Sequence, residues 1–253
     1  MVKLNDCIDI ILPNYNSEKY IKQTINSIIN QEYKNWKLLI IDDCSNNKTK
    51  NILKKFSKNR KIKIFWLKKN RGAGFSRNYA LKKSNSPFVA FIDSDDLWKK
   101  DKLKKQLNFM KKNNFSFTYT NYETFGKKSK KINSPSKLNY SDFIKNTSIA
   151  TSTMMIRREK IKNIKFSNTK ICEDYYFKCK LLKKTKFAYC LKNNLTKYRI
   201  RDKSLQSNNF RNFYWIWKIN KDYNNLNFFE NFISLFFISL NSIKKYGGKN
   251  IFN

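Results

Sequence analysis

The chain has 253 residues and no histidine, which allows one large domain with a substantial core and excludes Ser-His-Asp catalysis and histidine metal sites. Its five cysteines are scattered without a C-x-x-C pair, and no charged segment followed by an apolar run opens it, so we expect a cytoplasmic protein with reduced thiols. The formal net charge is +36, from 54 Lys and Arg against 18 Asp and Glu.

The first part of the chain alternates short apolar strands with amphipathic helices, which is the pattern of a parallel sheet with helical crossovers. Ser17 is expected to cap the first helix, because isoleucines recur at helical spacing from Ile21 to Ile29. We predict strands at 8–12, 38–41, 62–67 and 88–92, helices at 49–57 and 74–83 after the one that Ser17 caps, and a further helix that starts near Lys99.

Polar side chains follow the four predicted strands at the points where the strands end. They belong to residues 13–16, 42–43, 70–78 and 93–96. In parallel sheets ligands bind beyond the carboxyl ends of the strands, so these side chains are expected to face one crevice.

The densest acid in the chain directly follows the fourth predicted strand, where Asp93, Ser94, Asp95 and Asp96 succeed one another. Packed carboxylates repel one another unless a cation or a set of hydrogen-bond donors neutralises them. The cluster is therefore either a site for Mg²⁺ or Mn²⁺ bridging a diphosphate, or a solvated turn that caps the next helix. Its neighbours at the other strand ends favour the cation site.

The second half of the chain is less regular. We predict strands at 115–120, 152–156 and 187–191, a mobile loop rich in Lys and Ser at 126–137, and a helix opened by Glu173 and Asp174. The tail from 210 to 246 is aromatic and basic, and its most apolar stretch, 232–240, is shorter than the ~20 residues of a membrane span. It is either an interfacial helix or an amphipathic helix packed on the domain or on a partner.

Five short segments occur in an order that resembles the inverting glycosyltransferases of family 2. They are IDIILPNYN at 8–16, LIIDDCS at 39–45, NRGAGFSRN at 70–78, DSDD at 93–96 and ED at 173–174. The resemblance covers about residues 1–205 and implies the GT-A fold, an α/β fold with a Rossmann-like, mostly parallel central sheet flanked by helices. We therefore divide the chain into a nucleotide-sugar-binding half at 1–112, an acceptor half at 113–205 and a helical C-terminal extension at 206–253.

The resemblance also implies a pocket for a nucleotide-sugar donor. Tyrosine stacks on bases and guanidinium suits phosphate, so these roles are chemically reasonable. A buried carboxylate that closes a strand end is the alternative for Asp42, and a solvated helix start is the alternative for the two arginines. The implied nucleotide-binding residues are Pro13, Tyr15 and Asp43 at the base, Asp42 behind them, Arg71 and Arg77 near the base or diphosphate, and Asp93 and Asp95 at the ribose and metal.

By the same resemblance, Asp95 and Asp96 would hold a divalent metal, Mg²⁺ or Mn²⁺, and Asp174 would be the general base. Glu173 would serve instead of Asp174 or orient it. The alternative for this pair is an acidic helix N-terminus favoured by the helix dipole.

One position departs from the family pattern. Members often have a histidine shortly after a Tyr-Arg pair, whereas Tyr198 and Arg199 are followed here by Ile200 and Arg201. Arginine cannot ligate a metal as neutral imidazole does. Arg201 is therefore expected to contact the diphosphate directly, with weaker dependence on metal.

We predict that the protein transfers a sugar, with inversion, from a nucleoside diphosphate donor such as a UDP-sugar to a hydroxyl of a glycan or lipid-linked acceptor in cell-surface polysaccharide synthesis. The alternatives are a nucleotidyltransferase or a non-catalytic sugar-nucleotide binder on the same fold, although residues 13–17 lack the glycine of a phosphate loop. Nucleic acid is not an expected partner, because convergent carboxylates suit a phosphate backbone poorly.

The positive charge has two readings. The excess of Lys over Arg and the abundance of Asn, Ile and Phe are typical of compositional drift in an AT-rich genome. The other reading is a selected attraction to anionic lipid or substrate, which would place the protein at the inner face of the plasma membrane.

Overall fold

The computed structural model describes residues 6–126, 129–201 and 209–246, and in them one mixed sheet carries helices on both faces. The strands of this part are β1 (Ile8–Asn14), β2 (Trp36–Asp42), β3 (Ile62–Trp66), β4 (Phe88–Phe91), β5 (Leu97–Trp98), β6 (Phe117–Gly126), β7 (Lys130–Ile132), β8 (Lys137–Leu138), β9 (Met155–Arg157) and β10 (Ala188–Ile200). The helices are α1 (Ile21–Ile29), α2 (Asn47–Lys54), α3 (Gly72–Lys83), α4 (Lys102–Lys112), α5 (Tyr140–Asn146), α6 (Glu173–Thr185), α7 (Asn209–Asp222) and α8 (Phe228–Tyr246).

The sheet has the strand order β3-β2-β1-β4-β9-β6-β10-β5, with β7 on β6 and β8 on β10. Strands β1 to β4 are parallel, as the alternation of apolar strands and helices predicts. β9 is antiparallel to both β4 and β6, while β6 and β10 are parallel to each other. The α/β prediction is therefore confirmed.

Both faces of the sheet are covered, which explains the continuous apolar runs of its central strands. All seven residues of β1 are buried. Alternate side chains point to opposite faces, so Ile10 packs in the core that contains Ile25 of α1, and Ile11 packs in the core that contains Phe177 of α6.

The structure differs from the sequence-based expectations at several boundaries. Ser17 is not the cap of α1: Tyr20 occupies that position, and the Ser17 backbone carbonyl accepts from the amides of Tyr20 and Ile21. The helix expected near Lys99 begins at Lys102, because β5 first pairs antiparallel with β10.

The basic segment at 126–137 is less irregular than expected. Residues 130–132 form β7, which pairs antiparallel with β6, so within the described residues much of the expected loop is a hairpin. The strand expected at 187–191 extends to Ile200 as the thirteen-residue β10.

In its described residues the C-terminal tail forms α7 and α8, so it is helical as predicted. Its proposed boundary with the rest of the chain, at 205/206, lies outside the described residues. No helix in the described ranges is long and apolar enough to cross a membrane.

Candidate active site

One buried carboxylate, that of Asp42, joins the carboxyl ends of β1 and β2. Asn14 donates from Nδ2 to Asp42 Oδ1 at 2.8 Å, and the backbone amide of Ser45 donates to Oδ2 at 3.1 Å. Ser17 Oγ in turn donates to Asn14 Oδ1. Because both oxygens of Asp42 are engaged and the residue is fully buried, it braces the strand ends from behind the crevice.

Asp43 connects the end of β2 to the start of α3. Its carboxylate accepts from the backbone amides of Arg71 at 2.8 Å and Gly72 at 2.7 Å. Gly72 has φ of +86°, a conformation that glycine adopts without strain. Burial raises the pKa of Asp43, and the two amide hydrogen bonds oppose that rise. Asp43 is thus a fixed, buried acceptor at the edge of the crevice.

The other residues expected near a nucleotide base differ in exposure. Tyr15, just after β1, is 51% exposed, whereas Pro13 is buried within that strand. Arg71 stacks over the ring of Phe75, with the guanidinium carbon 3.7 Å from the ring centroid. Tyr15 and Arg71 therefore offer flat, accessible surfaces, whereas Pro13 is buried.

Ser152 organises the acidic turn that follows β4. The backbone amide of Asp93 donates to Ser152 Oγ at 3.0 Å, and Ser152 Oγ lies 2.5 Å from Asp96 Oδ2. The backbone amide of Arg199 on β10 donates to Asp96 Oδ1 at 2.9 Å. Burial raises the pKa of Asp96 well above its ordinary value, and the neighbouring Asp95 adds to the rise. Asp96 thus ties the acidic turn to β10 from inside the protein.

Asp95 is paired with Arg201, the arginine that follows β10. Arg201 Nε lies 2.8 Å from Asp95 Oδ2, and Arg199 Nε donates to the Asp95 backbone carbonyl at 2.8 Å. Burial raises the pKa of Asp95, and the charge of Arg201 opposes this effect. The side chain of Arg201 is 38% exposed and that of Asp95 is 13% exposed, so the guanidinium covers the carboxylate from the solvent side.

Arg77 joins the acidic turn to the start of α6. One guanidinium nitrogen lies 2.7 Å from Asp93 Oδ1 and the other lies 2.5 Å from Glu173 Oε1. The Arg77 side chain is only 6% exposed. A buried guanidinium between two carboxylates fixes the distance between the segments that carry them.

Glu173 and Asp174 open α6 and have different partners. Thr151 Oγ1 donates to Asp174 Oδ2 at 2.7 Å, and Lys178 Nζ, one turn later, lies 2.6 Å from the same oxygen. Burial alone would raise the pKa of Asp174, but Lys178 and Arg77 hold it well below its ordinary value. Burial raises the pKa of Glu173, and Arg77 opposes that rise.

The oxygen-rich acidic turn has the donor type that Mg²⁺ and Mn²⁺ prefer. In the described part of the chain, however, no group of three or more His, Cys, Asp or Glu is arranged to hold a metal ion. Asp95 already pairs with Arg201, and both oxygens of Asp96 are hydrogen bonded. A cation would therefore have to displace Arg201 from Asp95 or draw ligands from a bound diphosphate.

The structure brings most of the predicted site residues to the carboxyl edge of the parallel strands. Sequence reasoning missed the side chains that hold them there, namely Thr151, Ser152, Lys178 and Arg199. The i,i+4 spacing of Asp174 and Lys178 was a usable signal for one pair. The serine and threonine carry no sequence pattern that marks them.

The family model described as Glycosyl transferase family 2 matches residues 9–186, and the chain belongs to this family. It is an enzyme of the glycosyltransferase class, so the predicted family and reaction class are confirmed.

Two relatives match along nearly their whole length. The putative teichuronic acid biosynthesis glycosyltransferase TuaG of Bacillus subtilis is 34% identical over 250 residues, which are 97% of this chain and 99% of the relative. The UDP-Glc:alpha-D-GlcNAc-diphosphoundecaprenol beta-1,3-glucosyltransferase WfgD of Escherichia coli is 35% identical over 239 residues, 93% of this chain and 92% of that protein.

Solved structures support the same fold. The structure of S. aureus TarS 1-349 in complex with UDP-GlcNAc gives a TM-score of 0.72 at 23% identity, covering 94% of this chain and 72% of that one. The mannosyltransferase PcManGT from Pyrobaculum calidifontis, in complex with GDP-Man and Mn²⁺, gives a TM-score of 0.70 at 13% identity. The match covers 96% of this chain and 71% of that one. The GT-A prediction is therefore confirmed.

Proposed function

We propose that this glycosyltransferase moves a sugar from a UDP-sugar to a hydroxyl of a lipid-linked saccharide during synthesis of a cell-surface polysaccharide, with inversion at the anomeric carbon. The observation that carries the proposal is the Arg77 bridge, because it fixes the acidic turn beside the acidic start of α6. A donor diphosphate at the acidic turn would then lie next to an acceptor hydroxyl at the start of α6. The TuaG and WfgD relatives support this substrate class.

The donor nucleotide would occupy the crevice beyond β1 and β2. Tyr15 would stack on the base, and Asp43 would accept a hydrogen bond from a pyrimidine N–H through a lone pair that its two amide donors leave free. Arg71 would lie beside the base or the diphosphate, and Pro13 would form part of the floor. Asp93, whose side chain is 31% exposed, would reach the ribose.

Asp95, with Asp96 beside it, would hold the divalent metal, whose charge would offset that of the departing nucleoside diphosphate. Arg201 would contribute a second positive charge at the same place. Its contact with Asp95 supports this role, because the same guanidinium reaches the edge of the acidic turn and is exposed enough to meet a ligand.

Asp174 would accept the proton of the acceptor hydroxyl as that oxygen attacks the anomeric carbon. Thr151 and Lys178 both contact Oδ2, and no hydrogen-bond donor in the described residues contacts Oδ1, which can therefore receive the proton. Glu173 is engaged with Arg77 and would act through it as a positioning residue. Attack opposite the leaving group inverts the anomeric configuration, and a well-placed base contributes ~10²–10⁴-fold to the rate.

A lipid-linked acceptor would bring the enzyme to the inner face of the plasma membrane as a peripheral protein. The excess of positive charge supports attraction to an anionic surface. We propose this location together with the acceptor class.

The proposal is tested first by thermal shift with UDP-, GDP-, dTDP- and CMP-sugars, each with Mg²⁺ or Mn²⁺. A ligand at ~100 times its dissociation constant stabilises a protein by about 2.7 kcal/mol, so a UDP-sugar is expected to raise Tm by several degrees. No shift with any donor would contradict the proposal.

The second test is transfer to a synthetic saccharide-diphosphate lipid, with the anomeric configuration of the product read by NMR. An α-linked donor is expected to give a β-linked product. Asp174→Asn is the matched variant, and wild-type transfer by it would remove Asp174 from the mechanism.

A further inference from the structure

Helix α8 turns its apolar side away from the protein. Eight of its large apolar side chains are between 38% and 76% exposed, which is unusual for one helix, whereas Ile238 is buried in the core. The eight exposed residues, which we call the outer face of α8, are Phe228, Phe229, Phe232, Ile233, Phe236, Phe237, Leu240 and Ile243.

The opposite side of α8 is held by polar contacts and by Ile238 and Leu235, which pack on the core. Asn231 and Ser234 are buried and lie 3.1 Å from Asn220 of α7, within hydrogen-bond reach of its amide nitrogen. Ser234 Oγ also donates to the backbone carbonyl of Ile144, and Asn241 Nδ2 donates to that of Lys145. Rotating the helix to bury its phenylalanines would break these buried hydrogen bonds, so the outward orientation is built into the packing.

Positive charge borders the outer face. Lys145 Nζ lies 5.9 Å from the ring centroid of Phe237, and Lys130 Nζ is 3.5 Å from the backbone carbonyl of Lys244 near the end of α8. The acid of this helix, Glu230, sits at the N-terminus, where it forms a reciprocal cap with Asn227. The apolar stripe is thus flanked by ammonium groups over its C-terminal half.

A second basic surface adjoins α7. A depression on α6 and the segment before it is lined by Lys162, Lys165, Lys180, Lys183 and Lys184, together with Tyr176. The ring of Tyr176 packs edge-on against Tyr223, with centroids 5.0 Å apart, just beyond the end of α7. Lysines are therefore found both beside the outer face of α8 and next to the end of α7.

We propose that the outer face of α8 docks on an anionic lipid surface, lying in its interfacial region with the flanking lysines at the headgroups. The helix lies along the surface rather than across it, because its side with Asn231, Ser234 and Asn241 is polar and packed on the protein and the helix does not qualify as a membrane span. A second copy of the chain is a poor occupant, because two proteins of net charge +36 repel each other.

Docking of α8 would bring the active site close to a lipid-linked acceptor. This step depends on the proposed function. Tyr175, next to Asp174 on α6, donates from its hydroxyl to Asn220 Oδ1 at 2.7 Å, and Asn220 contacts Ser234 of α8. The docked helix is therefore joined through one buried side chain to the turn that carries the proposed base. Membrane attachment would hold that turn close to the headgroup layer, where a lipid diphosphate saccharide begins.

The test is flotation of the full chain with vesicles of phosphatidylglycerol or of phosphatidylcholine, without donor or acceptor. The wild type is expected to float with phosphatidylglycerol vesicles and at least tenfold less with phosphatidylcholine. Phe232→Ser/Phe236→Ser is expected to reduce binding at least tenfold. Trp66→Ser, which changes an exposed aromatic residue on β3, is the matched control and should bind as the wild type does.

Equal binding by the double variant and the wild type, or no binding of the wild type to phosphatidylglycerol, would overturn the proposal. A wild-type dimer in solution that dissociates in the double variant would do so as well, since a second copy would then cover the face. If the double variant does not fold, Phe236→Trp replaces it, and its fluorescence should shift to the blue and be quenched by brominated phosphatidylglycerol. Because vesicle binding is measured without sugar transfer, a failed transfer assay leaves this result intact.

Discussion

Arg201 and Asp95 form an ion pair in which the guanidinium Nε lies 2.8 Å from the carboxylate Oδ2. While they are paired, Asp95 is not free to ligate a cation with that oxygen, and Arg201 is not free to pair with phosphate. In the proposed mechanism, binding of a nucleoside diphosphate and a metal would compete with this pair. That competition would set how strongly the site depends on metal.

Replacing Arg201 by alanine is expected to lower the affinity for UDP without metal by about 10- to 150-fold, because one charged contact to phosphate is worth roughly 1.5–3 kcal/mol. With Mn²⁺ the affinity of the same variant for UDP should be closer to that of the wild type, because Asp95 no longer pairs with Arg201 and is free to ligate the metal. Isothermal titration of UDP with and without Mn²⁺ measures both effects. Arg201→His introduces an imidazole that can ligate a metal and should show the strongest dependence on Mn²⁺, whereas unchanged affinities in Arg201→Ala would rule out the diphosphate contact.

Arg77→Ala is expected to destabilise the fold by about 3–5 kcal/mol, because it leaves the carboxylates of Asp93 and Glu173 without their buried partner. Urea denaturation measures the loss. Arg71→Ala is the control, since Arg71 lies over the Phe75 ring and has no such buried pair, and it should change stability by less than about 1 kcal/mol. Similar losses in both variants would show that the bridge has no special role.

The pH dependence of transfer distinguishes Asp174 from Glu173 as the base. A base must be ionised, and the pKa of Asp174 is held well below 3.8 by Lys178 and Arg77 despite its burial. If Asp174 is the base, it stays ionised as the pH falls from 8 to about 5, and its protonation should not lower kcat/KM in that range. Burial raises the pKa of Glu173 above 4.5, so a Glu173 base would lose activity at a higher pH.

Lys178→Met provides a further check on this assignment. It removes the cation that lowers the pKa of Asp174, so the acid limb of the profile should move to higher pH. Asp174→Asn should reduce kcat by ~10²–10⁴-fold, with a smaller effect for Glu173→Gln. A larger loss in Glu173→Gln than in Asp174→Asn would reverse the two roles.

Gly74→Ala is expected to disturb the start of α6 from the neighbouring helix. A Cβ at Gly74 would lie 2.6 Å from the backbone oxygen of Ser167 and 3.0 Å from Glu173 Cγ, so α3 would have to move away from the segment before α6 and from the Glu173 side chain. Such overpacking costs about 1–3 kcal/mol, and the displaced Glu173 should also lower kcat. Gly72→Ala is the control for backbone strain, because φ there is +86° and no atom lies within 4 Å of the added Cβ. Melting temperatures and kcat values of the two variants distinguish overpacking from backbone strain.

The sequence allowed prediction of the parallel half of the fold and of the strand ends that carry the acidic residues. β4 and residues 10–12 of β1 were predictable because strands buried on both faces carry continuous apolar runs. β10 was predicted too short, because Lys192, Asn193 and Asn194 interrupt its apolar pattern, and its pairing with β6 shifts register there.

The site was harder to predict where tertiary contacts decide it. The ion pair of Arg77 with Glu173 joins residues 96 apart in the chain, and nothing local to either indicates the other. The same limit applies to α8, because periodicity shows that one side of a helix is apolar but not which side faces the protein.

The hydrogen bonds of Asn231 and Ser234 stabilise that orientation, together with the burial of Ile238. Leucine at both positions would make α8 apolar around more of its circumference and would remove the difference between its sides. The helix would then have two competing ways to pack, and neither would be specified. These two small polar side chains thus act as determinants of structural uniqueness, which an apolar replacement of greater hydrophobicity would not provide.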